Sequence, residues 1–161
     1  MNVDFINPFV ASISNILVSM AQLECQRGKP YVKADQKMLG SVTGLIPMVG
    51  DDVHGSLAIS FSTSTIVRIA SNMLGEDIHE LDDSCQDLTG EITNMLSGGA
   101  RKLLWQNGYN FEMAQPKILM EPELEHLVKV PVIVIPFTTE PGEFFIEVAL
   151  GKRLPKAKLL G

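Results

Sequence analysis

A chain of 161 residues with 45% apolar content can bury one substantial core, and no apolar run reaches the roughly 18 residues a membrane-spanning helix needs. A net charge of −6 and a pI near 5.0 exclude nucleic acid as a partner, since phosphate neutralisation needs clustered Lys and Arg. The N-terminus lacks a basic segment followed by an apolar one, so a cytoplasmic protein is expected.

In chain order, Asn7 and Pro8 read as the N-cap and first residue of a helix. Phe9, Ile13, Ile16, Leu17, Met20 and Leu23 carry its apolar face to about Gln26. Strands are predicted at 31–36, 40–49 and 53–61, the last two joined by a turn at Gly50, Asp51 and Asp52. In 56–61 apolar residues alternate with small ones, the pattern of a half-buried antiparallel strand. Ser62 or Ser64 caps a second helix that Gly75 ends. The segment 84–107 reads as a third helix, entered through Asp82 or Asp83, with Asp83 and Gln86 at capping-box spacing, and followed by Gly108. Further strands are predicted at 109–114, 117–120, 126–137 and 143–150. The run from Val130 to Ile135 looks the most buried, and residues beyond Lys152 form a tail. The expected fold class is α/β of the α+β type, an antiparallel sheet with packed helices, as a single domain over 1–153 with a tail at 154–161.

The third helix carries two stripes. Cys85, Leu88, Ile92, Met95, Leu96, Gly99 and Leu103 form an apolar one at about 100° per residue. On the other side Asp87, Glu91, Asn94 and Gly98 line up within about 60°. Gly90, Gly98 and Gly99 each cost about 1 kcal/mol relative to Ala inside a helix. For Gly99 close packing on a sheet would compensate. For Gly98 a bare backbone beside Asn94 would admit another macromolecule. A carboxylate and an amide one turn apart can orient a water and accept its proton, or grip a cation. From spacing alone the stripe is as readily a solvated helix face. Trp105, on the same face, either contacts a partner or covers the helix end.

Cys25 and Cys85 lie in contexts that read as helical and apolar, which suggests reduced core thiols. His54, His79 and His126 have no second ligand at metal spacing, so surface or satisfied histidines are expected and no metal site. The run 13–17, Ile-Ser-Asn-Ile-Leu, matches 92–96, Ile-Thr-Asn-Met-Leu. Ile46-Pro47 ahead of Gly55 likewise matches Ile135-Pro136 ahead of Gly142. This indicates an internal duplication of a helix followed by about three strands, in which Ser12, Pro8 and Ser19 answer Glu91, Asp87 and Gly98. Of the stripe, only Asn15 persists in the first copy.

The pattern Asp87-x-x-x-Glu91-x-x-Asn94-x-x-x-Gly98, followed by Pro116, resembles the signature of the CheC/CheX/FliY family of chemotaxis phosphatases. The layout and the single Glu-x-x-Asn copy resemble its CheX branch. The resemblance implies hydrolysis of the aspartyl phosphate on a CheY-like response regulator. Asn94 would position the attacking water in the partner's active site, and Glu91 would pair with the partner's lysine. Gly98 would give clearance, and Asp87 would serve the partner or the helix's first turn. It also implies no cofactor of the chain's own, Mg²⁺ held by the regulator, and a homodimer formed through the sheets, for which the run from Val130 to Ile135 is a candidate. A non-catalytic module, a regulator sink or a flagellar-switch-like adaptor, is the competing expectation.

Overall fold

The structure, a computed structural model, describes residues 3–112 and 114–152, with the backbone alone at 3, 4 and 152. The predicted tail lies outside the described residues. Among the described residues there are three helices and seven strands: α1 (Val3–Ala21), β1 (Gln26–Arg27), β2 (Tyr31–Val32), β3 (Val42–Val49), β4 (Val53–Phe61), α2 (Thr63–Leu74), α3 (Asp83–Gln106), β5 (Lys117–Leu119), β6 (Ile133–Thr138) and β7 (Glu143–Lys152). They form one antiparallel sheet in the order β1-β6-β7-β4-β3-β5, with β2 also paired to β6.

Alternation along the central strands decides what each sheet face holds. Leu57, Ile59 and Phe61 of β4, with Phe144, Ile146 and Val148 of β7, join the main core beneath Ile13, Ile66 and Ile92 of the helices. The small residues between them do not face water as the sequence pattern predicted. Ser56, Ala58 and Ser60 are fully buried because residues 33–41 and 121–132 cover the second face, where Met38 and Leu124 pack on Ala58. A buried carboxylate fastens this cover. Glu147 accepts from Lys33 Nζ at 3.1 Å through each oxygen and from His126 Nε2 at 3.0 Å, while His126 Nδ1 lies 2.6 Å from Ser56 Oγ. A carboxylate this deep is tolerable only with such partners.

The same contacts explain two misread strands. Residues 126–132 are not a strand, because His126 turns onto Ser56 and Glu147, Leu127 N donates to Ser56 Oγ, and Pro131 has no N–H for a ladder. Beyond Val32 only Lys33 N still bonds the segment leading into β6, at Val132 O, and Asp35 Oδ1 then caps Lys37 N, so the predicted 31–36 strand is two residues long. The predicted 109–114 strand reduces to one bridge, Gly50 with Phe111. The two-residue β1 carries no alternation that a sequence could display.

α1 begins before Asn7, with Pro8 inside it. Phe5 packs on Tyr109 at 4.6 Å between ring centroids and Ile6 meets the core, which offsets the one N–H that Pro8 lacks. The helix stops at Ala21 rather than Gln26. Gln22 takes φ 49° and Leu23 N bonds Leu17 O, a left-handed cap with a buried apolar residue after it. Cys25 is therefore in a loop, not a helix. Both cysteines are free, and burial pushes both thiols up, with Ser14 partly opposing this at Cys25 and the Asp82 backbone bond at Cys85. α2 starts at Ser62 and ends at Gly75, as predicted.

The duplication is visible in the sheet: β3 and β6, with Ile46-Pro47 and Ile135-Pro136, flank the central β4–β7 pair on opposite sides. The two glycines differ in purpose. A Cβ at Gly55 would strike the Ala149 carbonyl, and one at Gly142 would strike the hydroxyls that open α2.

α3 rests on β3 where Gly44 leaves no side chain, and a Cβ there would overlap the Thr93 hydroxyl. Gly44→Ala is therefore expected to destabilise the fold by about 1–3 kcal/mol, read as a lower midpoint in thermal unfolding.

Candidate functional site

Asp82, not Asp83, is the N-cap of α3, its Oδ1 accepting from Cys85 N at 3.1 Å. The buried face is Cys85, Leu88, Thr89, Ile92, Thr93, Leu96, Ala100 and Leu104, which is rotated from the predicted stripe. Met95, Gly99 and Leu103 lie at its margin, half-buried. Two threonines can line it because each returns its hydroxyl to the helix: Thr89 to Cys85 O at 2.7 Å and Thr93 to Thr89 O at 2.6 Å.

The glycines now separate by purpose. A Cβ at Gly99 would come within 2.8 Å of Ser12 Oγ, so Gly99 packs on α1 rather than on the sheet. Gly90 faces Ile118 of β5, at 3.4 Å. Gly98 would meet nothing within 4 Å, so intramolecular packing does not account for it.

On the outward face Asp87, Glu91 and Asn94 are exposed and Gly98 is half-exposed. Asp87, Glu91 and Asn94 stand about 5–6 Å from one to the next at their Cβ atoms, on a helix clamped between β3 and α1. Among the described residues, the Glu91 and Asn94 side chains have no hydrogen-bond or ion-pair partner. Trp105 continues the stripe about 27 Å beyond Asp87 at 1.5 Å per residue. It is 67% exposed and does not cover the helix end. Leu104, buried, and Tyr109, whose N–H bonds Leu104 O at 2.9 Å, do that. Beside Gly98 and Trp105 lies a groove of about 490 Å³ that also takes in Arg101, Lys102, Asn110 and Phe111. The sequence reading missed Arg101, although it falls at i+7 from Asn94 and the same periodicity reaches it. Within the 130–135 run Val134 and Ile135 are buried in a strand paired on both sides, whereas Val130 and Val132 are half-buried and Pro131 is exposed.

Among the described residues no three His, Cys, Asp or Glu side chains converge as a metal site would require. His126 is satisfied as described, whereas the buried Nδ1 of His54 has no partner among the described residues. A cleft of about 970 Å³ lies elsewhere, between Val18, Cys25, Asn72 and Thr139. Its Arg68 is already paired with Glu140 at 2.6 Å, and it holds none of the stripe.

The family model for the chemotaxis phosphatase CheX matches residues 42–138, which include β3, β4 and all of α3. The chain belongs to the CheX family. A CheC-like superfamily protein from Shewanella sp. PV-4 is 42% identical, with a TM-score of 0.87, over 94% of this chain and 99% of that one. The CheY-P phosphatase CheX of Thermotoga maritima is 24% identical over 94% of this chain and 99% of its own length. CheX in the CheX–CheY–BeF3–Mg²⁺ complex from Borrelia burgdorferi has the same fold at 21% identity, with a TM-score of 0.73 over 92% of this chain and 99% of that one. The antiparallel sheet with packed helices expected from the sequence is thus the fold of CheX and CheC-like proteins.

With open space around Gly98, Gly98→Ala is expected to stabilise the isolated protein by about 1 kcal/mol, raising the unfolding midpoint by roughly 2–4 °C. A fall in the midpoint would mean that Gly98 has a packing role.

Proposed function

We propose that the chain hydrolyses the aspartyl phosphate of a CheY-like receiver domain; its Thermotoga maritima relative is a CheY-P phosphatase. The observation that carries this reading is the pair Glu91 and Asn94, side by side and unpartnered on the outward face of a helix that is buried along its opposite side. Side chains held ready but unused within the fold suit insertion into another protein's site. Phosphoryl transfer demands positioning and charge stabilisation more than covalent chemistry, so a helix face without a metal ligand set is sufficient when the partner brings the metal.

In this reading Mg²⁺ belongs to the receiver domain, and the Borrelia complex contains CheX, CheY, BeF3 and Mg²⁺ together. Asn94 uses its amide to orient the attacking water, Glu91 docks on a partner lysine, and Gly98 admits the partner's backbone. Asp87 adds negative charge to the rim, and Trp105 supplies contact area. The reaction belongs where receiver domains are found, in the cytoplasm. Among the described residues no helix is long and apolar enough to cross a membrane. A homodimer fits the outer sheet edge, where Tyr31 and Val32 of β2 are 44% and 60% exposed on a strand whose outer side has no partner strand among the described residues.

The test is the decay of a phosphorylated CheY-like receiver domain in Mg²⁺ with native protein and with Asn94→Ala. The native chain is expected to accelerate decay, and Asn94→Ala to lose at least about 100-fold of the rate at saturation while still binding. Glu91→Ala is expected to raise the half-saturating concentration. Binding without acceleration by the native chain would identify an adaptor instead.

A further inference from the structure

The stripe on α3 has a polarity along the helix that the docking pair alone does not explain. Asp87 and Glu91 sit on the N-terminal side of Asn94, and Arg101 and Lys102 on the C-terminal side. Helix-dipole complementarity favours cations only in the last turn, yet α3 runs to Gln106 and its last turn holds no basic residue. Arg101 is half-buried, and among the described residues its guanidinium has neither an ion pair nor a hydrogen bond. The groove it lines contains no carboxylate on any described wall, only Gly98, Lys102, Trp105, Asn110 and Phe111. In a chain of net charge −6 this is a positive locus without an ion pair among the described residues, although Asp51 and Asp52 line an adjoining hollow that shares Asn110 and Phe111.

We infer that Arg101 is a specificity-determining residue that receives a carboxylate of the docked receiver domain in the groove between Gly98 and Trp105, about 10 Å along the helix from Asn94. This rests on the receiver-domain docking in the proposed phosphatase reading, not on its hydrolytic step. A site that holds Mg²⁺ beside a phosphorylated aspartate is built from carboxylates, so an acidic rim is what its chemistry offers to an unpaired guanidinium. With Glu91 meeting a partner cation and Arg101 a partner anion, only one direction of docking pairs opposite charges. The reversed direction sets like charges together. Arg101 thereby fixes the orientation in which Asn94 enters the partner's site.

The experiment measures binding of the BeF3-activated, Mg²⁺-loaded receiver domain by titration calorimetry, together with dephosphorylation kinetics, for native protein, Arg101→Glu, Arg101→Gln and Arg101→Lys, each checked for folding by circular dichroism. Arg101→Glu is expected to raise Kd and the half-saturating concentration at least about 10-fold. The rate at saturation should fall as bound receiver domain is lost to the reversed direction, and the salt dependence of association should flatten. Arg101→Gln should fall between Arg101→Glu and native, and Arg101→Lys should recover most of the affinity. Arg101→Glu and Arg101→Gln both binding within about 2-fold of native would overturn the assignment. Native binding without accelerated decay would overturn the phosphatase reading and leave this one standing, and no binding by the native chain would overturn both.

Discussion

Everything about the stripe depends on how closely α3 is held. Gly44 lets Thr93 sit directly on β3, and Gly99 lets Ser12 of α1 approach from the side. With Ile92, Leu96, Ala100 and Leu104 fully buried, the helix has no freedom to roll, so the side chains opposite that face are fixed in direction. Burying each leucine or isoleucine contributes about 1.5–3 kcal/mol. The cost of glycine inside a helix is met at Gly99 and Gly90 by contacts and at Gly98 by nothing in the fold. An uncompensated cost beside two unpartnered polar side chains is the mark of a surface shaped for another molecule.

The second sheet face shows the converse use of polar groups. Glu147, Lys33, His126 and Ser56 satisfy one another and fasten two long connections over β4 and β7. These groups resemble a catalytic relay in composition, but they are spent on structure: Ser56 is fully buried and its oxygen also accepts from Leu127 N. In the proposed reading the chemistry falls instead to residues that the fold leaves without partners.

Much of this was legible in the sequence wherever local rules act alone. β4, both ends of α2 and nearly all of α3 follow from alternation, caps and the 3.6-residue period, and the Asp87, Glu91, Asn94 and Gly98 stripe follows from the same period. What failed depended on contacts distant in sequence. Pro8 is tolerated because Phe5 finds Tyr109, and the 126–132 segment leaves the sheet because His126 finds Glu147. Ser56 is buried because a loop covers it, and Gly99 packs on α1 rather than on the sheet because of Ser12. Arg101 differs: the periodicity reaches it at i+7 from Asn94, but it lies beyond the motif and a basic residue on a helix face is ordinarily solvated.

The central claim is that α3, through this stripe, is the surface a receiver domain meets. The most direct measurement is the ¹⁵N–¹H NMR spectrum of the chain titrated with BeF3-activated, Mg²⁺-loaded receiver domain. The informative signals are the Asn94 side-chain amide and the indole N–H of Trp105, the sole tryptophan. The account predicts that both shift, together with backbone signals from Asp87 to Trp105, and that Asn94→Ala retains the backbone pattern. Shifts confined to the cleft around Cys25 and Asn72, or to the β2 edge, with Asn94 and Trp105 unmoved, would contradict it.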